Sequence, residues 1–178
     1  YREDGYFPEA FVNILAFLGW NPGTEQELFS LDQLVEAFAL EKVGKAGAKF
    51  DPDKARWYNH QYLRKKSNTE LAQLFMPILR EKGIEPGPGY TEKVCEFLKE
   101  RANFVSEFWE QSFYFFRAPS EFDAKVAKKK WKGDTPETIR QLKEKLAQTD
   151  DFSVEALENE IKTWIKENDM KMGQVMNA

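Results

Sequence analysis

The sequence predicts an all-α chain, and three observations lead there. Helix-start chemistry recurs along it: Pro8, Asp51-Pro52, Ser67, Thr135-Pro136 and Ser153 each stand just before apolar residues at helical spacing. Those apolar residues repeat every three or four positions instead of alternating. Strand punctuation is scarce, leaving room for at most a short strand pair in the N-terminal part, near Lys49.

The elements follow in order. Pro8 opens a helix whose apolar positions are Phe11, Ile14, Leu15 and Leu18; Gly19 can close it, and Asn21-Pro22-Gly23 is a turn. Thr24 with Glu27 has capping-box spacing, as does Ser30 with Gln33 before Leu31, Leu34, Val35 and Phe38. Val43 to Lys49 holds two glycines and reads as a loop or short extended segment. Asp51-Pro52 starts a helix to about Lys66. Ser67-Asn68-Thr69 then caps a helix carrying Leu71, Leu74, Phe75, Ile78 and Leu79.

After the break from Gly83 to Gly89, Thr91 is expected to cap one long helix reaching about Arg117. Its apolar residues cover more than one face, which predicts packing on two sides. Two further helices are expected, from Thr135-Pro136 to about Ala147 and from Ser153 to about Asn168. Phe152 and Leu157 stand at hydrophobic-staple positions of the second.

Composition excludes several function classes. With 42% hydrophobic and 31% charged residues, the 178-residue chain can build one large or two small cores and is not a disordered tail. One cysteine (Cys95) and one histidine (His60) exclude an internal disulfide and a structural zinc site. Cys95, flanked by Val94 and Phe97, reads as a small buried apolar residue, and His60 as an exposed or interface histidine. No apolar run approaches the roughly 20 residues that span a bilayer, so no membrane partner is expected. The first residue is Tyr1, not Met, and the chain reads as an internal piece of something longer.

Catalytic patterns are missing too. No Gly-rich phosphate loop, His-x-x-x-His or Cys-x-x-Cys pair or nucleophile elbow occurs. Acidic pairs such as Asp150-Asp151 read as partners of helix N-termini. No catalytic residue, metal ligand or cofactor is therefore assigned within the chain.

Local charge is more informative than the net charge of -4. Between Lys42 and Lys66, the bases Lys42, Lys45, Lys49, Lys54, Arg56, Arg64, Lys65 and Lys66 outweigh Asp51 and Asp53 by six. From 125 to 132 there are five lysines, no acid, and Trp131. Phosphates need only cationic reach, and an aromatic beside them can stack a splayed base. Residues 134 to 169, with ten acids and five bases, mask both zones in the total. A solvated helix face remains the alternative for Lys128 to Lys130. Core packing is the favoured role for most of the run Phe113 to Phe116, with at least one of the four exposed.

These residues resemble a family. Tyr1 to Gly23 looks like the segment of glutamyl-tRNA synthetases that follows the KMSKS-type ATP-site loop. Phe50-Asp51-x-x-Lys54-x-x-Trp57-x-Asn59-x-x-Tyr62-Leu63-Arg64 is similar to the marker of the stem-contact fold. Arg101, Phe113 to Phe116 and Asp123 to Lys130 resemble the family's helical region, and Met170 to Met176 the opening of its tail segment.

The resemblance implies helical-bundle domains of the class I synthetase anticodon-binding type, cut away from the catalytic domain and truncated at both ends. On that likeness, residues 1–67 are the remainder of the stem-contact fold, 68–133 a first helical anticodon-binding domain, and 134–178 the incomplete start of a second. The implied partner is glutamate-accepting tRNA, in the cytoplasm, with no oligomer expected. Candidate contacts are Lys54, Arg64, Lys65 and Lys66 on the elbow side and Arg101, Arg117, Lys128, Lys129 and Lys130 on the anticodon side. ATP and Mg are implied only for the parent ligase, whose adenylate-forming signatures do not occur in this chain. The alternative is a helical protein-interaction domain that docks a partner through its aromatic surface.

Overall fold

The computed structural model describes residues 1–45, 47–131 and 133–176. The chain divides into two compact units, 1–118 and 119–178.

In the first unit, Pro8 occupies the first turn of α1 (Pro8–Phe17), where its missing N–H costs nothing. Ser30 and Gln33 form the expected capping box of α2 (Leu31–Ala37). Asp51 caps α3 (Pro52–Lys65) by accepting the amide hydrogens of Asp53 and Lys54. The Ser67–Glu70 capping box opens α4 (Asn68–Glu81). The packed faces follow from spacing: Ala55, Tyr58, Asn59, Tyr62 and Leu63 on α3, and Leu71, Ala72, Phe75 and Leu79 on α4. They share one core with Ala10, Ile14, Val94, Leu98 and Phe108, in which the Phe75 and Phe108 rings meet edge-on at 5.4 Å.

Three expectations are corrected by the fold. Thr24–Glu27 starts no helix; residues 26–30 are irregular, neither helix nor strand. Asn13, buried on α1, captures this segment: its Nδ2 donates to Glu27 O at 3.0 Å, and its Oδ1 accepts the Phe29 amide at 2.8 Å. Backbone groups that a helix would use are thereby taken by a side chain. The room left for at most a short strand pair holds, among the described residues, a single antiparallel bridge between Trp20 and Val43, as that limit allows.

The long helix from Thr91 is two helices, α5 (Tyr90–Leu98) and α6 (Phe108–Phe116), with a short 3₁₀ turn at Val105–Glu107. Phe104 between them is extended (φ -135°, ψ 149°). Side chains of α3 take the carbonyls freed by the break. Asn59 Nδ2 donates to Asn103 O at 2.7 Å, and His60 Nδ1 lies 2.8 Å from Ala102 O. The apolar residues that seemed to wrap one helix instead line two. The start of α5 is also displaced: Gly89, at φ 73°, is its N-cap, and Thr91 is buried inside it.

The second unit holds α7 (Ala124–Lys130), α8 (Thr135–Ala147), α9 (Val154–Glu167) and α10 (Met172–Met176). Its core is small: Trp164, Ile165 and Val175, with Leu142, Ile161 and Met170 against them. Glu160 on α9 ties back to α8, meeting Lys145 at 3.0 Å and Thr149 Oγ1 at 2.8 Å. Phe152, expected to staple α9, stays largely exposed.

Candidate nucleic-acid interface

Several of the basic residues of the first unit are tied into the fold. Lys42 donates to Pro22 O at 2.9 Å, and Lys54 pairs with Glu27 at 3.1 Å while lying 5.8 Å from the Tyr58 ring centre. At the end of α3, three consecutive bases have three different surroundings. Arg64 meets Glu100 at 2.8 Å, with both side chains about half exposed. Lys65 is exposed, 5.6 Å from the Tyr62 ring centre. Lys66 is only 19% exposed, held by Glu9 at 2.8 Å over the Phe7 ring. Burial raises the Glu9 carboxyl most, but the Lys66 hydrogen bond, a backbone amide and the Lys66 charge together outweigh it and hold Glu9 below its usual range.

Arg101 directly follows Glu100, the partner of Arg64, so the geometry brings two sequence-distant candidates into one neighbourhood. Arg101 is exposed and forms no ion pair among the described residues, so the pairing with Glu107 or Glu110 that its sequence neighbours suggest is not made. Glu107 instead accepts the Asn103 amide at 2.8 Å. Arg117 donates to Lys82 O at 2.8 Å, beside the end of α4. Exposed pairs of this kind are worth little and exchange readily.

In the second unit, Asp123 caps α7 through the amide hydrogens of Lys125 and Val126, and no residue of the helix is buried. Lys125, Lys128, Lys129 and Lys130 are all exposed, and none pairs with a carboxylate among the described residues. Three of them lie in the last turn, where positive charge suits the helix C-terminus. Lys132 lies outside the described residues. Trp131 ends the helix, half exposed, with Phe122 and Val126 also open to solvent. Of the aromatic run on α6, Tyr114 and Phe115 are exposed, as expected for at least one of the four, and Phe115 stacks on Phe97 of α5.

Sequence reasoning missed Asn13 and gave Asn59 and Tyr62 only as letters of the stem-contact marker, without their positioning role. Asn13, Asn59 and Tyr62 are buried polar groups that lock α1, α3 and the neighbouring loops together. Asn13 was findable: an Asn between Ala10 and Ile14, on the apolar stripe of a helix, needs a partner for its amide.

Comparisons with known proteins identify the family and its fold. The family model described as "Anticodon binding domain" matches residues 70–178. Glutamate–tRNA ligase of Porphyromonas gingivalis is 51% identical over 178 residues, and that of Flavobacterium psychrophilum 52% over 176. The alignments cover 100% and 99% of this chain, which spans 35% of each relative's length. The solved glutamate tRNA ligase of Elizabethkingia meningosepticum superposes with a TM-score of 0.92 at 38% identity, over 99% of this chain and 35% of that one. The match over α4 to α10 and the shared all-helical fold lead to one conclusion: this chain belongs to the anticodon-binding domain family, in the form found in glutamate–tRNA ligases.

Proposed function

We propose that the chain is the tRNA-binding region of a glutamate–tRNA ligase, gripping glutamate-accepting tRNA in the cytoplasm as a monomer. In this reading residues 1–67 contact the stem, while 68–133 and 134–178 form the helical anticodon-binding domains. The observation that carries it is α7: a lysine-rich helix with no ion-pair partner among the described residues, inside the region matched by the anticodon-binding family. Lys65, Arg101 and Lys128 to Lys130 offer free charge to phosphates; Lys54, Arg64, Lys66 and Arg117 would first exchange a partner within the chain. The protein-docking alternative is not favoured, since the lysine helix supplies what a polyanion needs.

The whole ligase would join glutamate to tRNA using ATP and Mg. Among the described residues, no three His, Cys, Asp or Glu side chains converge as a metal site. No helix among them is long and apolar enough to cross a membrane. The test is filter binding of cognate tRNA across a salt series, comparing wild type with Lys128→Glu, Lys129→Glu and Lys130→Glu combined. Weaker binding with a flatter slope of log affinity on log salt is expected, by somewhat under one unit for each phosphate that is no longer neutralised. Equal affinities and equal slopes would remove α7 from the interface.

A further inference from the structure

The turn that presents Arg101 is pinned on both flanks. Arg101 N and Ala102 N donate to Leu98 O at 2.9 and 3.0 Å, and Asn103 N donates to the Glu107 carboxylate at 2.8 Å. The carbonyls of Ala102 and Asn103 go to two consecutive side chains of α3, His60 and Asn59. Asn59 is wholly buried and has one orientation open to it, since its Oδ1 accepts the Phe7 amide while its Nδ2 donates to Asn103 O. A carbonyl oxygen only accepts, so His60 Nδ1 carries the hydrogen in its 2.8 Å contact with Ala102 O. One helical turn beyond His60, Arg64 engages Glu100 and draws that carboxylate away from the next residue, Arg101. Arg101 stays exposed, with no ion-pair partner among the described residues.

Burial of Ala102 and Phe104 already anchors the segment. The two α3 side chains add direction to the backbone between α5 and α6, and the free charge whose direction they set is the Arg101 guanidinium. A charged fork held in place before its ligand arrives loses less freedom on binding than one on a loose turn. We propose that His60, with Asn59, is a positioning residue for RNA binding: it fixes the 99–103 turn so that Arg101 meets the tRNA already aligned. This rests on the tRNA-binding reading and goes further, because it gives a role to α3 side chains that touch no RNA.

The test falls on His60, since Asn59 also holds the Phe7 amide and its loss would disturb α1. Filter binding of glutamate-accepting tRNA at one fixed salt concentration compares wild type, His60→Ala, His60→Asn, Arg101→Ala and the double variant His60→Ala with Arg101→Ala. Arg101→Ala is expected to weaken binding about 10- to 100-fold. His60→Ala should weaken it about 2- to 10-fold, the cost of ordering a side chain that the fold no longer orders in advance. His60→Asn places its Nδ2 where the imidazole Nδ1 stands and should restore wild-type affinity. In the Arg101→Ala background, His60→Ala should change nothing further. His60→Gln carries its amide one bond further out, and serves as a milder displacement if His60→Ala lowers the urea midpoint too far for the assay.

Equal weakening by the His60 change with and without Arg101 overturns the positioning role, because a general loss of structure acts in both backgrounds. So does wild-type affinity in His60→Ala and His60→Gln alike, or failure of His60→Asn to restore binding. Unchanged binding by Arg101→Ala overturns it as well, since no contact is then being positioned. Absence of tRNA binding by wild type at any salt overturns the tRNA-binding reading itself.

Discussion

The Tyr62 hydroxyl stands 2.6 Å from Asn13 Oδ1 and 2.5 Å from the carbonyl oxygen of Phe29, joining α3 to α1 and to the irregular segment before α2. Asn13 Oδ1 also accepts the Phe29 amide, so removing the hydroxyl leaves it one partner. Tyr62→Phe should therefore cost about 1–2 kcal/mol. Asn13→Ala should cost more, about 3 kcal/mol, because it removes the partners of the Phe29 amide and the Glu27 carbonyl together, while Tyr62 keeps the Phe29 carbonyl. Urea unfolding checks both: the midpoint should fall in that order with little change in the slope m.

Burial in the core, with Glu92 adding to it, pushes the Cys95 thiol from 9.0 up to about 12. Burial likewise raises the phenols of Tyr58 and Tyr62. In each case the folded state holds a proton that the unfolded state releases first. The thiol's contribution is thus complete below about pH 9 and is lost as pH climbs toward 12. Cys95 should not react with an aromatic disulfide reagent at pH 8 until the chain unfolds. Cys95→Ala should lose less stability than wild type between pH 8 and pH 10.

Helix starts were legible because they are local. Ser30, Asp51, Ser67 and Ser153 satisfy backbone amides within three residues of themselves, and spacing alone reveals them. The break between α5 and α6 was not legible, because its cause lies about 44 residues away in sequence, at Asn59 and His60 on α3. The same holds for Thr24–Glu27, where a distant Asn13 overrides a sound capping pattern. The lysine zones were visible as composition. Which basic side chains are free was not, because Glu9, Glu27 and Glu100 arrive from elsewhere in the chain. Ala102, fully buried in the break, tests this account. Ala102→Leu should overpack the site and cost about 1–3 kcal/mol, read from the shift in the urea midpoint.

Among the described residues, Trp164, Ile165 and Val175 are the fully packed centre of the second unit, whereas the first unit's core extends across α1, α3, α4, α5 and α6. Opening free energy tracks buried apolar packing. Amide hydrogens of α8 and α9 should therefore exchange faster than those of α4 and α5 in native-state exchange. Equal protection would mean that the two units unfold together. Trp164→Ala should then accelerate exchange in α8 and α9 while leaving α4 near its wild-type rate.

Lys65 and Lys66 are neighbours with the same side chain, and the fold gives them separate tasks. Lys66 is mostly covered, fixed by Glu9 and by the Phe7 ring, whereas Lys65 is exposed and has no carboxylate partner among the described residues. Lys66→Ala should lower stability by about 1 kcal/mol. The effect has a pH signature, because Glu9 is held below its ordinary 4.5 in the fold. Its contribution is present above that value and is lost as pH falls through the lower folded one. Wild type should lose stability on acidification in this window, and Lys66→Ala should lose less of it. Lys65→Ala should leave both the midpoint and the acid limb unchanged. If the proposed stem contact is made by free charge, Lys65→Ala alone should flatten the salt slope of tRNA binding, by somewhat under one unit. Lys66→Ala should do so much less, since its charge is already neutralised by Glu9. The opposite pattern, stability at Lys65 and salt slope at Lys66, would mean that the Glu9 pair opens when tRNA binds.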